Sequence, residues 1–537
     1  MNPMRLHRIV VVISLCGLVI SSCGKSEKIS DDANLKPKYG GTLVYTKNSP
    51  PVTLDPALTT ETESTIPCDN IFDPLVQLQL GKTGIAPALA KTWDISKDGL
   101  VYTFHLRTGV TFHDGTPFTA KAVLFSFNRQ RDPKHPFHQG GDKFEYWKNF
   151  SMNEMIKDIK AVNDSTVQFT LSSANATFLY ILSMQFTAIV SPDGMKKYGT
   201  QFYAHPIGTG AFHFVSWQSD DNLILAANTE YWDGRPYLDT LIFKAVNKSE
   251  ERVSRLLSGE YDMIESPTPE KISEIENNKN LKVFKQPGVN IAYMAMNMNK
   301  KPFSDERVRK AIVYAVNREK LVEQVYGEFG RPAKNPIPPM LLGYNEEIRF
   351  TPYDPEKAKQ LLAEAGFPDG FKTKLWYMPI AREYMPDGKR TAELIEADLK
   401  AVGIEAEIST YPWHEYLEKL YRGEHEMAIM GWIADIPDPD NFFYPLLDKT
   451  VAEIVPSNNI AFYKGEDMHQ LLLQGKLATD LVARSKIYRD ACAVFNRDLP
   501  WFTIAHSVVI VPMQSYVMNF QPYASYARKF NTVWLNR

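Results

Sequence analysis

The sequence predicts a mixed α/β fold divided into two or three lobes, and three observations carry that expectation. The chain has 537 residues, more than a single hydrophobic core usually serves. Its later part alternates helix-period with strand-period patterning, the mark of α/β lobes. Beyond residue 22 no stretch is apolar for anything near the ~18 residues that a membrane-spanning helix needs. With 44% hydrophobic and 23% charged residues, the body has the composition of a soluble globular protein.

The N-terminus reads as an export signal. Arg5, His7 and Arg8 form a short basic region, and residues 9–20 are almost wholly apolar. That core suits a signal peptide and is too short to span a bilayer. It ends in Ile20-Ser21-Ser22-Cys23, which resembles the lipobox of bacterial lipoproteins: an aliphatic residue, two small residues that fit a narrow peptidase cleft, and a cysteine whose thiol accepts the acyl chain. Residues 1–22 are expected to be the signal peptide, Cys23 the lipidation site, and residues 23–40 a polar tether reaching roughly 20–25 Å by random-coil scaling. An ordinary secretory signal in which Cys23 is incidental is the alternative.

Along the body, residues 101–112 (VYTFHLRTGVTF) alternate apolar and polar side chains around Gly109 and predict a hairpin; residues 166–171 (TVQFTL) predict another strand. Asp354-Pro355 opens a helix with a capping carboxylate and a proline at its first position. Ala358, Leu361, Leu362 and Ala365 give it one apolar face, and Gly366 ends it. Residues 391–402 repeat the form with Leu394, Ile395, Leu399 and Val402, stopped by Gly403, and Ile404, Ala406 and Ile408 follow as a strand. Glycine- and proline-rich points near 206–210 and 286–288 are candidate lobe junctions.

Several function classes are disfavoured. The formal charge is −3, or −5 once residues 1–22, whose charges are Arg5 and Arg8, are removed; a nucleic-acid binder needs a basic face. No G-x-S-x-G elbow, H-E-x-x-H, Walker loop or G-x-G-x-x-G occurs, so neither an enzyme nor a cofactor is expected. His135 and His138 lack a clustered third ligand and read as surface residues rather than a metal site. In the mature body only Cys68 and Cys492 remain, 424 positions apart; buried free thiols are the default, and a disulfide cannot be deduced from sequence.

Four segments carry a more specific signal: AKTWDISKDGLVYTFHLRTGVTFHDGTPFTAKAVLFSFNR at 90–129, PIGTGAFHF at 206–214, DPEKAKQLLAEAG at 354–366 and GWIADIPDPDNFF at 431–443. From about Gly41 to the C-terminus the chain resembles the family 5 extracellular solute-binding proteins of ABC importers, and in particular the members that bind dipeptides. The resemblance implies a periplasmic-binding-protein-like fold: two lobes around a central ligand cleft, with an extra inserted domain. It places lobe I at 41–73, 207–288 and 511–537, the insert at 74–206 and lobe II at 289–510. It also implies a monomer on the periplasmic, extracytoplasmic face, anchored to the membrane by its lipid alone. Short peptides, dipeptides above all, would be the cargo, handed to permease subunits and their ATPase. Haem or nickel carriage, or peptide sensing without transport, are the alternatives within the same fold.

A free dipeptide holds an ammonium and a carboxylate about 7 Å apart, and a closed site must neutralise both, because a buried unpaired charge costs several kcal/mol. One cation and one anion at a fixed spacing are required. Arg382, in a loop between Pro379 and Pro386, offers a planar fork for the carboxylate. By resemblance Arg382 takes that carboxylate, with Tyr384 assisting, while Asp435 holds the ammonium and Trp413 lines the pocket. Trp432 and the backbone of Gly431 are expected to pair with the ligand main chain as an added strand does. Asp438 and Asp440 read as caps of turns around prolines. Ile436-Pro437 departs from the polar pair of the dipeptide binders, which leaves the side-chain pocket and preferred length open.

Overall fold

The computed structural model describes residues 35–138, 143–218, 222–265, 267, 269–523, 525 and 527–537. The signal segment, Cys23 and the start of the tether lie outside the described residues. The remainder is the mixed α/β fold that the alternation predicts. A 12-stranded sheet dominates it. In one half, Thr42–Lys47 runs parallel to Thr240–Ala245, which continues antiparallel to Asn222–Ala227 and Phe212–Gln218. In the other, Asn290–Met296 and Met427–Ile433 pair antiparallel, and Phe371–Trp376 lies parallel to Ile404–Ser409. The long strand Trp501–Gln514 belongs to both: it pairs with Asn290–Met296 near its start and with Leu281–Pro287 near its end.

Asn290–Met296 is buried along its whole length. Such a strand reads as continuous hydrophobic sequence because both faces are covered. A separate four-stranded antiparallel sheet, Ala90–Ile95, Val101–Leu106, Thr166–Leu171 and Ile156–Asn163, carries its own core with the helix Ala120–Arg131. Three large apolar cores result, as the length requires.

The helix Pro355–Glu364 forms where expected: Asp354 caps it by accepting the Lys357 N–H at 2.9 Å, and Gly366 follows at φ +91°. The strand Ile404–Ser409 follows Gly403 at φ +89°. The hairpin expected over 101–112 is corrected. Val101–Leu106 turns back instead on Ala90–Ile95, one turn earlier, through Ser96-Lys97-Asp98-Gly99. There the Gly99 N–H donates to the Ser96 carbonyl at 2.8 Å, and Asp98 accepts the Leu100 N–H. After Gly109, Val110 and Phe112 drop into the core rather than return along the strand, because a second turn at Gly115 intervenes. Periodicity saw the alternation but not which turn closed it. Cys68 and Cys492 are both buried and free.

Candidate functional site

Between the two halves of the large sheet opens a cleft of about 1120 Å³. All six residues singled out by sequence line it: Arg382, Tyr384, Trp413, Gly431, Trp432 and Asp435. Tyr45, Asp69 and Arg528 face them from the first half, and Tyr146 and Phe186 from the four-stranded unit.

Arg382 stands at the start of a tight turn closed by reciprocal backbone bonds with Met385, both 2.9 Å. Its side chain is exposed to the cleft, and its guanidinium lies 5.3 Å from the centroid of Trp413. That contact is cation–π, a stacking that leaves the fork's in-plane donors available. Trp413 opens the helix Trp413–Tyr421 and stacks on the buried Tyr416 at 13°, so the indole is a rigid wall rather than a loose flap. Tyr384, 6% exposed, is fixed from behind: its carbonyl accepts the Tyr326 hydroxyl at 2.8 Å. Burial drives its phenol pKa up, so it remains a neutral donor. Gly431 makes room for it. A Cβ at Gly431 would come within 2.2 Å of the Tyr384 ring and 2.5 Å of the Ile291 carbonyl.

Met427–Ile433 is laddered to Asn290–Met296 on one side, Gly431 opposite Ala292. On the other side Phe371–Trp376 reaches only Met427 and Ala428. Past that point the Ile429 carbonyl is taken by the Tyr416 hydroxyl at 2.7 Å, and on this side residues 430–433 have no strand partner among the described residues.

Asp435 follows directly. Asn441 is its brace: one oxygen accepts both the Asp435 N–H at 3.0 Å and the Trp432 indole N–H at 3.2 Å. The Tyr146 hydroxyl donates to the Asp435 carboxylate at 2.9 Å. Burial raises the Asp435 pKa, against which the bonds from Tyr146 and Asn441 act. Neither Tyr146, 289 positions away, nor Asn441 was singled out from sequence; no local pattern links them to Asp435.

The role expected for Asp438 and Asp440 is corrected. Asp438 does accept the Asp440 N–H at 2.9 Å, as a turn cap would. Its main partner, however, is Arg484, which meets it with two bonds of 2.6 and 2.8 Å, both side chains 2% exposed. Asp440 is half-buried beside them, accepts the Tyr488 hydroxyl at 3.2 Å, and its pKa is pushed up to about 6 by desolvation and the charge of Asp438. The neighbouring Ile436 inserts into the core of the four-stranded unit. The apolar residue that departs from the family pattern is thus a plug that seats the Asp435 loop.

His138 donates through Nδ1–H to the Arg129 carbonyl at 2.9 Å, and His135 accepts the Phe137 N–H. Among the described residues no group of three His, Cys, Asp or Glu side chains is placed to hold a metal ion, and no helix is long and apolar enough to cross a membrane.

Comparison with known proteins places this cleft in context. Haemophilus influenzae "Heme-binding protein A" is 37% identical over 526 residues, covering 95% of this chain and 96% of that protein. The "Dipeptide-binding protein" of Escherichia coli is 38% identical over 495 residues, covering 89% and 92%. A solved structure of the ABC transporter-associated periplasmic binding protein DppA from Helicobacter pylori, in complex with peptide STSA, superposes with a TM-score of 0.79 at 37% identity, covering 93% of this chain and 99% of that one. Residues 84–453 match the family described as "Bacterial extracellular solute-binding proteins, family 5 Middle". With its two-part cleft and its similarity to these proteins along nearly its full length, the chain belongs to the family 5 solute-binding proteins of ABC importers.

Proposed function

We propose that the protein captures dipeptides and other short peptides by clamping their termini, and delivers them to ABC permease subunits and their ATPase. The carrying observation is that Arg382 and Asp435 line one cleft, with Asp435 following directly on a strand edge that Phe371–Trp376 leaves uncovered. In this reading Arg382, backed by Trp413 and helped by Tyr384, receives the carboxylate. Asp435 receives the ammonium, and residues 430–433, Gly431 and Trp432 among them, ladder with the ligand backbone. Recognition through backbone and termini leaves side chains largely unread. Residues 41–73, 207–288 and 511–537 act as lobe I, 289–510 as lobe II and 74–206 as the insert; the lobes close on the ligand.

Isothermal titration calorimetry tests the clamp. Free dipeptides are expected to bind with micromolar or tighter affinity, about −8 kcal/mol or better. N-acetylation or C-amidation should each weaken binding strongly, because each removes a charge that the cleft must match. Equal binding of doubly blocked peptides sinks the clamp.

A second reading, haem as cargo, draws on the similarity to a protein named for haem binding and on the size of the cleft. No histidine or cysteine is among its described lining residues, so an iron ligand would have to come from a lining tyrosine or methionine. Titration with haemin, followed by visible absorption, separates the two readings.

We further place the protein on the periplasmic face as a monomer, held there by a lipid on Cys23. Cys23→Ala is expected to move it from the membrane to the soluble fraction; unchanged fractionation removes the anchor.

A further inference from the structure

The turn that carries Arg382 also carries a carboxylate for which the clamp has no use. Arg382 and Met385 close the turn, leaving Glu383 and Tyr384 at its corner. While Tyr384 packs against Gly431, Glu383 reaches the place where the chain crosses between the halves. There Asn290 Nδ2 donates to Glu383 Oε1 at 2.5 Å. A Cβ at Gly288 would sit 2.9 Å from the same oxygen. The same Asn290 amide is tied to Ser507 on both its faces, at 2.9 and 2.8 Å, so the carboxylate is held in place by a fixed neutral donor.

It is positioned without being neutralised. Apart from Arg382, which the clamp commits to the ligand carboxylate, the cations of the cleft are engaged elsewhere: Lys529 with Asp73 at 2.8 Å, and Arg252 with the carbonyls of Val246, Asn247 and Glu265. Arg528, which also lines the cleft, donates to the carbonyls of Ser525 and Ala527. Glu265 is itself matched by Lys47 and the Tyr45 hydroxyl. Among the described residues Glu383 has no ion-pair partner, yet it lines the cleft beside Arg382. Burial raises its pKa, with Asn290 and Arg528 acting the other way; a cationic group brought next to it would relieve that cost. A held, half-buried carboxylate short of positive charge is what a charged hydrogen bond from a ligand completes.

We propose that Glu383 makes this cleft selective for peptides with a lysine or arginine side chain on the residue whose carboxylate Arg382 takes. The inference rests on the clamp reading, since the adjacency of Glu383 to Arg382 is what assigns it to the C-terminal residue of the ligand.

The test compares Ala-Lys with Ala-norleucine, which differ by one terminal ammonium, in calorimetry on the full chain. Ala-Lys is expected to bind at least about tenfold tighter, the scale of one charged hydrogen bond. In Glu383→Gln that ratio should fall towards one, and Glu383→Asp should keep part of it. Because both peptides are read on the same protein, partial unfolding cancels from the ratio. A wild-type ratio near one overturns the proposal, whatever the variants do. So does a ratio that survives Glu383→Gln while both affinities drop together, which would assign Glu383 to pairing with Arg528 on closure. If doubly blocked Ala-Lys binds as well as the free peptide but keeps the Glu383-dependent preference, the clamp fails and the lysine subsite stands. If free termini are essential and lysine brings no gain, only the subsite fails. Binding of neither peptide removes both.

Discussion

Asp435→Asn is expected to weaken dipeptide binding by about 2–5 kcal/mol while leaving the thermal midpoint unchanged or higher. The loss follows because the substitution strands the ligand's ammonium in a closed cleft without its counter-charge. Arg382→Ala should cost a similar amount by stranding the carboxylate. The stability side has the opposite sign, and the sign follows from the direction of the pKa. Asp435 is raised by burial, so the folded state binds more protons than the unfolded one between the two pKa values. Its charge therefore opposes folding above the folded pKa, and that penalty vanishes below the unfolded one. Asparagine removes the charge and keeps an oxygen for the Tyr146 hydroxyl. A variant that melts early would show that Asp435 is structural. One that melts late and still binds dipeptides normally would show that the ammonium goes elsewhere. Calorimetry and a melting curve on the same sample decide between these.

Arg484→Ala is expected to destabilise the fold by about 3–5 kcal/mol, the usual cost of removing one partner of a buried ion pair. Arg484 also donates to the Gly475 carbonyl at 2.8 Å and approaches the Tyr488 hydroxyl at 3.4 Å. Burial alone would lower its pKa, but Asp438 and Asp440 beside it hold the guanidinium firmly charged. Without it, two neighbouring carboxylates remain in a dry site, and at least one must take a proton. The midpoint of urea denaturation measures the loss. Arg484→Met combined with Asp438→Asn should recover much of it, since replacing both charges is far cheaper than orphaning one. A single variant as stable as the parent would mean that solvent reaches Asp438 despite its burial.

These two sites show what was legible in the sequence. Where one short segment holds the whole cause, the reading succeeded: Asp354, Pro355 and Gly366 bound a helix through contacts no more than a few residues long. The cleft residues were legible through motif likeness, and the structure brings all six to one wall. What lies between distant segments was not. Asp438 looked like a turn cap because Arg484 is 46 positions on. Tyr146 and Glu383 owe their positions to a docked unit and a strand crossing that leave no periodicity behind. The 101–112 hairpin failed for a related reason: alternation marks a strand, while the turn chemistry of Ser96, Asp98 and Gly99 picks its partner.

The strand crossing has a mechanical meaning. Gly288 donates its N–H to the Ser507 carbonyl at 2.9 Å, and Asn290 rivets its side chain to Ser507 from two residues further on. Two chain passages are thus stapled where they cross, and the swing of the halves that the proposed closure requires would flex that crossing. Glu383 is attached to that same rivet through Asn290. In the proposed reading, a cargo that reaches Glu383 would therefore touch this crossing through Asn290.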